Sequence, residues 1–154
     1  MPRKVKGYFY HISQHLPPED CVLSPRSWGE NRDEGEPKIA RVCVCPTISG
    51  CITAIAHNLF ARDVRVFRTK RQVTAVIPFG KNTWEEINTA VADSFITKER
   101  WLLRPIHFKF VGYFDANQFR HLFNYVPGDP SSFYDQEICM KEMLKLEKSS
   151  NLLG

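Results

Sequence analysis

Prolines cut this chain before its β-prone runs can lengthen, and they fix what it can become. Pro17-Pro18 stops any helix behind the aromatic run Gly7-Tyr8-Phe9-Tyr10-His11-Ile12. Pro46 closes Lys38–Cys45, Pro78 with Gly80 closes Val73–Ile77, and Pro105 separates Arg100–Leu103 from Ile106–Phe114. These runs are rich in β-branched and aromatic residues, and Ile106–Phe114 alternates with period two, as a strand should. Val64–Thr69 alternates apolar with basic, the pattern of a half-exposed strand.

Helical signals are fewer. Thr47 or Ser49 caps an expected helix through about Phe60, because Ile48, Ile52, Ile55 and Leu59 recur at helical spacing. A short helix is expected near Thr83–Ile87, followed by a loop, and another from a capping Asp115 to about Tyr125. A C-terminal helix starts at Asp129-Pro130, with Tyr134, Ile138, Met140, Met143 and Leu144 as its apolar stripe and Glu137–Lys141 as a favourable pair. Many strands, not interleaved regularly with helices, predict an α+β chain with mostly antiparallel β-sheets and a few short helices. At 154 residues it is expected to form a single domain, 1–154.

Composition narrows the function classes. With 43% hydrophobic and 25% charged residues, disorder is excluded. No stretch approaches the roughly 18 consecutive apolar residues of a membrane helix. The basic N-terminus leads into no apolar signal segment, so a cytoplasmic protein without a membrane partner is expected. Five cysteines, an odd number, then read as reduced thiols. The net charge of +4 is unevenly spread. Residues 62–71 carry a local +4, residues 19–37 a local −4, and the first six residues +3, a polarity that suits an anion at one end. Residues 24–37, proline-, glycine- and acid-rich, read as a long exposed loop.

Several constellations invite chemistry. Cys43-x-Cys45-x5-Cys51 with His57 beyond suggests zinc, yet structural zinc takes close ligand pairs from turns, so buried packing is the better reading and no metal is expected. Cys45 or Cys51 near a helix start suits a nucleophile, but nothing identifies a histidine partner. The basic run Arg62–Arg71 fits a nucleic-acid or phosphate patch, or equally a solvated strand face; nucleic acid is a possible partner but not the favoured one. No GxGxxG, GxxxxGK[ST], GxSxG or HExxH motif is present.

A distributed set says more. The first strand ends Tyr10-His11-Ile12-Ser13, a later one reads Arg41-Val42-Cys43-Val44-Cys45-Pro46-Thr47 before an apolar helix, and Asp93 to Trp101 precedes Leu103-Arg104-Pro105 and a strand into Val111-Gly112. Over about residues 8–114 this order resembles the ADP-ribosyltransferase fold, particularly the small bacterial rifampin ADP-ribosyltransferase-like proteins. That family opens with an aromatic-Tyr-His-Gly-Thr strand and has a hydrophobic-Tyr-Phe-Ser strand before a helix. It then places an acidic residue before a closing strand that ends in Val-Gly.

The resemblance implies NAD as substrate and transfer of ADP-ribose to an unknown macromolecular or small-molecule acceptor. Cleaving the nicotinamide–ribose bond builds oxocarbenium character, which a carboxylate stabilises. Asp93 is the first choice for that carboxylate and Glu99 the second. Tyr10, His11, Ile12, Cys43 and Arg65 are the expected NAD contacts, His11 toward a ribose hydroxyl. The family's glycine is Ile12 here and its strand tyrosine is Cys43, so a stacking ring would come from elsewhere, such as Trp28 or Phe60. The alternatives are a non-catalytic interaction protein of the same fold, a small phage or mobile-element factor acting on a host protein, and a nucleic-acid-binding module using residues 62–71.

Overall fold

A computed structural model describes residues 3–26, 39–78 and 93–154. Its strands are β1 (Lys4–Gly7), β2 (Tyr10–Ser13), β3 (Cys21–Leu23), β4 (Val42–Val44), β5 (Val64–Thr69), β6 (Val73–Val76), β7 (Arg100–Leu102) and β8 (Ile106–Phe114). The α-helices are α1 (Ile48–Ile55), α2 (Ser94–Thr97) and α3 (Phe133–Lys148). The strands form two four-stranded antiparallel sheets, ordered β1-β6-β7-β4 and β2-β5-β8-β3. The expected α+β class with mostly antiparallel sheets is observed.

Two apolar layers hold these parts together. Phe9, Val42, Val44, Phe67, Ala75, Leu102 and Phe108 fill the space between the sheets. On its other face the second sheet sends Ile12, Val64, Val66 and Phe114 against Ile48, Ile52 and Cys51 of α1 and Cys139 and Met143 of α3. Each fully buried side chain of this size contributes roughly 1.5–3 kcal/mol of transfer free energy. The outer face of the first sheet carries the Val76–Trp101 contact with Ile39 and Cys43 packed on it. Among the described residues, no helix is long and apolar enough to cross a membrane.

The expected strand over 7–12 is two strands. The chain leaves the first sheet at Gly7 and enters the second at Tyr10, and Phe9, 2% exposed, is buried at the crossing. Its amide donates to Thr69 Oγ1 and its carbonyl accepts from the Thr69 amide, so the crossing is fixed by hydrogen bonds. The expected strand over 38–45 shortens to β4, with Arg41 and Cys45 forming isolated bridges to Arg26 and Tyr10 on different neighbours. β7 likewise stops at Leu102, one residue short of expectation.

Thr47 is the α1 cap, accepting from the Gly50 amide, but the helix ends at Ile55 instead of near Phe60. A 3₁₀ turn, Ala56–Asn58, follows, and Gln14 then holds the chain by accepting from the Phe60 and Ala61 amides. Asp115 caps as expected, by accepting from the Asn117 amide, but Ala116–Leu122 is 3₁₀. Asp129 caps a 3₁₀ turn, Pro130–Ser132, from which α3 continues.

The face that α3 buries is Gln136, Cys139, Met140 and Met143, whereas Tyr134 is 77% and Ile138 42% exposed. That corrects the expected stripe: a glutamine stands where the pattern wanted an apolar residue, because it has a buried partner. β3 and α2 were not expected. β3 is an edge strand of three residues lying between prolines, and its pairing comes from β8. α2 packs on α1 where Gly50 lies, and a Cβ on Gly50 would overlap the Thr97 carbonyl oxygen. The expected helix near 83–87, Trp28, and all but the first three residues of the loop over 24–37 lie outside the described residues.

In β5 Val66 and Phe67 are both buried, one on each face of the sheet, and the bulge in the pairing lies on β8, where Val111 is the extra residue between Phe110 and Gly112. Gly112 sits opposite Val66 with φ +147°, a conformation that favours glycine.

Candidate functional site

β2 places its side chains alternately. Ile12 enters the α1 core, while His11 turns toward Phe108, with ring centroids 6.2 Å apart. His11 Nδ1 lies 2.9 Å from the Cys43 carbonyl oxygen. A carbonyl can only accept, so Nδ1 carries the hydrogen and Nε2 the lone pair. Burial lowers the His11 pKa, the Cys43 hydrogen bond opposes this, and Arg26 adds to the lowering. The ring is therefore neutral at pH 7, and Nε2 is an acceptor.

The two sheets meet at this point. The Tyr10 amide donates to the Cys45 carbonyl at 2.7 Å and the Cys45 amide to the Tyr10 carbonyl at 3.1 Å. Cys51 Sγ also donates to the Tyr10 carbonyl, at 3.1 Å, fixing α1 to the same strand. On its other side β4 pairs with β7, Cys43 opposite Trp101 and Val44 opposite Arg100. Glu99 immediately precedes β7, and its Oε2 accepts from Trp101 Nε1 at 2.8 Å. Trp101 is wholly buried, and the Arg41 guanidinium stacks 4.0 Å from its ring centroid. His11, Cys43, Trp101 and Glu99 are thus linked through successive contacts across β2, β4 and β7.

Asp93 lies elsewhere. It is 6% exposed at the start of α2, and its Oδ2 accepts from Gln136 Nε2 of α3 at 2.7 Å. Burial raises its pKa, and the Gln136 hydrogen bond only partly offsets this. Nearby, Tyr125 donates to the Thr53 carbonyl at 2.7 Å, and burial pushes its phenol up. The Asp93 carboxyl faces Gln136, while the Thr97 hydroxyl donates to the Asp93 carbonyl at 3.5 Å and accepts from the Glu99 amide at 3.2 Å, a link through the backbone of α2.

Arg65, opposite Ser13, pairs with Asp63 at 3.1 Å and donates to the Gln14 carbonyl at 2.8 Å. It braces the chain behind β2. Phe60 is 66% exposed, with Arg120 5.7 Å from its ring centroid. The five cysteines form no disulfide. Cys43 packs with Val76 and Trp101, whereas Cys45 and Cys51 are in the α1 core, so Cys43 and Cys45 do not serve one cluster. The Cys51 thiol beside it, and then burial, hold the Cys45 thiol well above its ordinary pKa, the opposite of nucleophile activation.

Sequence reasoning named His11, Cys43 and Glu99 but missed Trp101 and Arg41. One signal was available: Glu99 and Trp101 are two residues apart at a strand start and so share a face. No protein-family model, curated protein or solved structure matches the chain.

Proposed function

We propose that this chain is an ADP-ribosyltransferase-like protein that binds NAD at the β2–β4–β7 junction and transfers ADP-ribose to an acceptor. The observation that carries the reading is that β2, with His11, and β7, with Glu99 beside it, both adjoin β4 where the two sheets meet. The residues named by the family resemblance are far apart in sequence; His11 reaches the Cys43 backbone carbonyl of β4, and Glu99 bonds Trp101 of β7, the strand paired with β4.

In this reading neutral His11 accepts from a ribose hydroxyl through Nε2. Glu99, oriented by Trp101, faces the positive charge that grows on the ribose as the nicotinamide bond breaks. Nicotinamide leaves with the bonding pair, the acceptor's nucleophilic atom bonds the ribose carbon, and the acceptor's proton is released. Glu99 takes this role ahead of Asp93, whose carboxyl is committed to Gln136 and whose pKa is raised by burial.

The test is nicotinamide release from NAD by pure protein with a cell extract as the acceptor source. Glu99→Gln keeps an acceptor for Trp101 and should lose activity on the order of 10²-fold. His11→Ala should lose NAD affinity, and Asp93→Asn should retain turnover in the folded fraction. Absence of both NAD binding and nicotinamide release would overturn the reading. A second reading, a non-catalytic interaction protein of the same fold, is favoured by Cys43 standing where the family carries a tyrosine. There, His11→Ala would leave partner binding intact.

A further inference from the structure

The basic run 62–71 does not act as one patch. Arg65 is tied to Asp63 and Gln14, while Arg68 and Lys70 lie at the other end of β5 and meet residues from three other segments. Arg68 stands between Tyr10 of β2 and Lys109 of β8 in one row across the second sheet. Its neighbours Phe67 and Thr69 are wholly buried, so Arg68 occupies the opposite face. On β8 the buried residue is Phe108, which puts the exposed His107 and Lys109 on that same outer face, and Val22 opposite His107 is 49% exposed.

Tyr8, 45% exposed, lies with its ring centroid 5.0 Å from the Arg68 guanidinium carbon. Arg68 Nε has no hydrogen-bond acceptor among the described residues. Among the described residues, the acids at this edge are the exposed Glu19 and Asp20, and Asp20 is engaged by Lys70 at 3.3 Å and accepts from the Phe110 amide at 3.0 Å. The surface therefore offers cations at strand spacing beside an exposed aromatic ring, with the Asp20 carboxylate paired to Lys70.

We infer that this Tyr8–Arg68–Lys109 face binds single-stranded nucleic acid, with Arg68 and Lys109 on phosphates and Tyr8 stacking on a base. The charge suits a polyanion, and the tyrosine–arginine pair supplies the planar platform that unpaired bases use and an acidic peptide does not. The site is independent of the NAD reading, since it uses none of His11, Cys43 or Glu99.

The experiment is fluorescence anisotropy with a labelled single-stranded oligonucleotide over a salt series. Wild type should bind with an affinity that falls steeply with salt. Arg68→Glu with Lys109→Glu should weaken binding at least tenfold. It should also flatten the log–log salt slope by about 1.4, since each phosphate contact contributes about 0.7 on single strands. Tyr8→Ala should weaken binding roughly tenfold and Tyr8→Phe far less. Lys145→Glu on α3, whose lysine is well exposed, should change nothing, and unchanged far-UV spectra establish that each variant is folded. The inference is overturned by absent or salt-insensitive binding, by equal affinity for the matching duplex or for polyglutamate, or by charge reversal without effect.

Discussion

Asp93 and Glu99 lie six positions apart on either side of α2, and their surroundings differ in kind. Asp93 is buried at the start of α2 against α3, where its partner is a glutamine and burial raises its pKa. Glu99 ends beside an indole N–H at the junction of two sheets, next to a strand that also meets His11. The carboxylates are chemically interchangeable in the sequence. What separates them is which elements the short helix between them is packed against: one holds helices in place, and the other sits where three strands are brought together.

Disrupting the Asp93 side should have the larger effects on stability. Gly50→Ala drives a methyl into the Thr97 carbonyl and should cost about 3 kcal/mol, the upper range for overpacking, read as a lowered midpoint in urea. Asp93→Ala leaves Gln136 Nε2 buried without its acceptor and should cost about 2 kcal/mol in the same measurement. Glu147, from α3, accepts from the Ile48 and Ser49 amides and from Ser49 Oγ at the start of α1, so Glu147→Ala should cost about 1–2 kcal/mol. On the junction side, Glu99→Gln should shift the midpoint less than any of these while removing turnover. Equal destabilisation by Glu99→Gln would make the two carboxylates alike and break the contrast.

Acid and base sharpen it further, because the two regions titrate with opposite sign. The folded pKa of Asp93 is raised above 3.8, so the native state holds a proton that the unfolded chain releases. Its contribution therefore declines as pH rises from 3.8 through the raised value. The folded pKa of His11 is lowered below 6.5, so the unfolded chain takes up a proton first as pH falls. Its contribution is complete above 6.5 and fades as pH drops from there through the lowered value. Melting temperatures across pH should show Asp93→Asn removing the first slope and His11→Gln the second.

How far the sequence carried differs along the chain for physical reasons. β5 and β8 could be read as strands from their local β-prone alternation, although the fold buries residues on both faces of each. β3 could not, because three residues between prolines pair only through what β8 offers. The buried face of α3 was hidden by Gln136, a polar residue made tolerable in the core by an aspartate 43 positions away. The same long-range contact decides the surroundings of Asp93, which is why sequence alone placed it ahead of Glu99. The place of His11 on β2, in contrast, was legible, because a histidine at the end of an aromatic run stays near its backbone neighbours whatever the rest does. The Trp101–Glu99 bond, by comparison, was within reach of the sequence, since it needs only their two-residue spacing.

The most direct measurement is an NMR titration of the selectively labelled histidine rings with NAD. His11 is expected to shift saturably, with the larger change at Nε2, and the shift should disappear in a folded His11→Gln variant and weaken in Glu99→Gln. NAD that fails to bind, or that binds and leaves the His11 ring unmoved, would contradict a nucleotide site at the β2–β4–β7 junction.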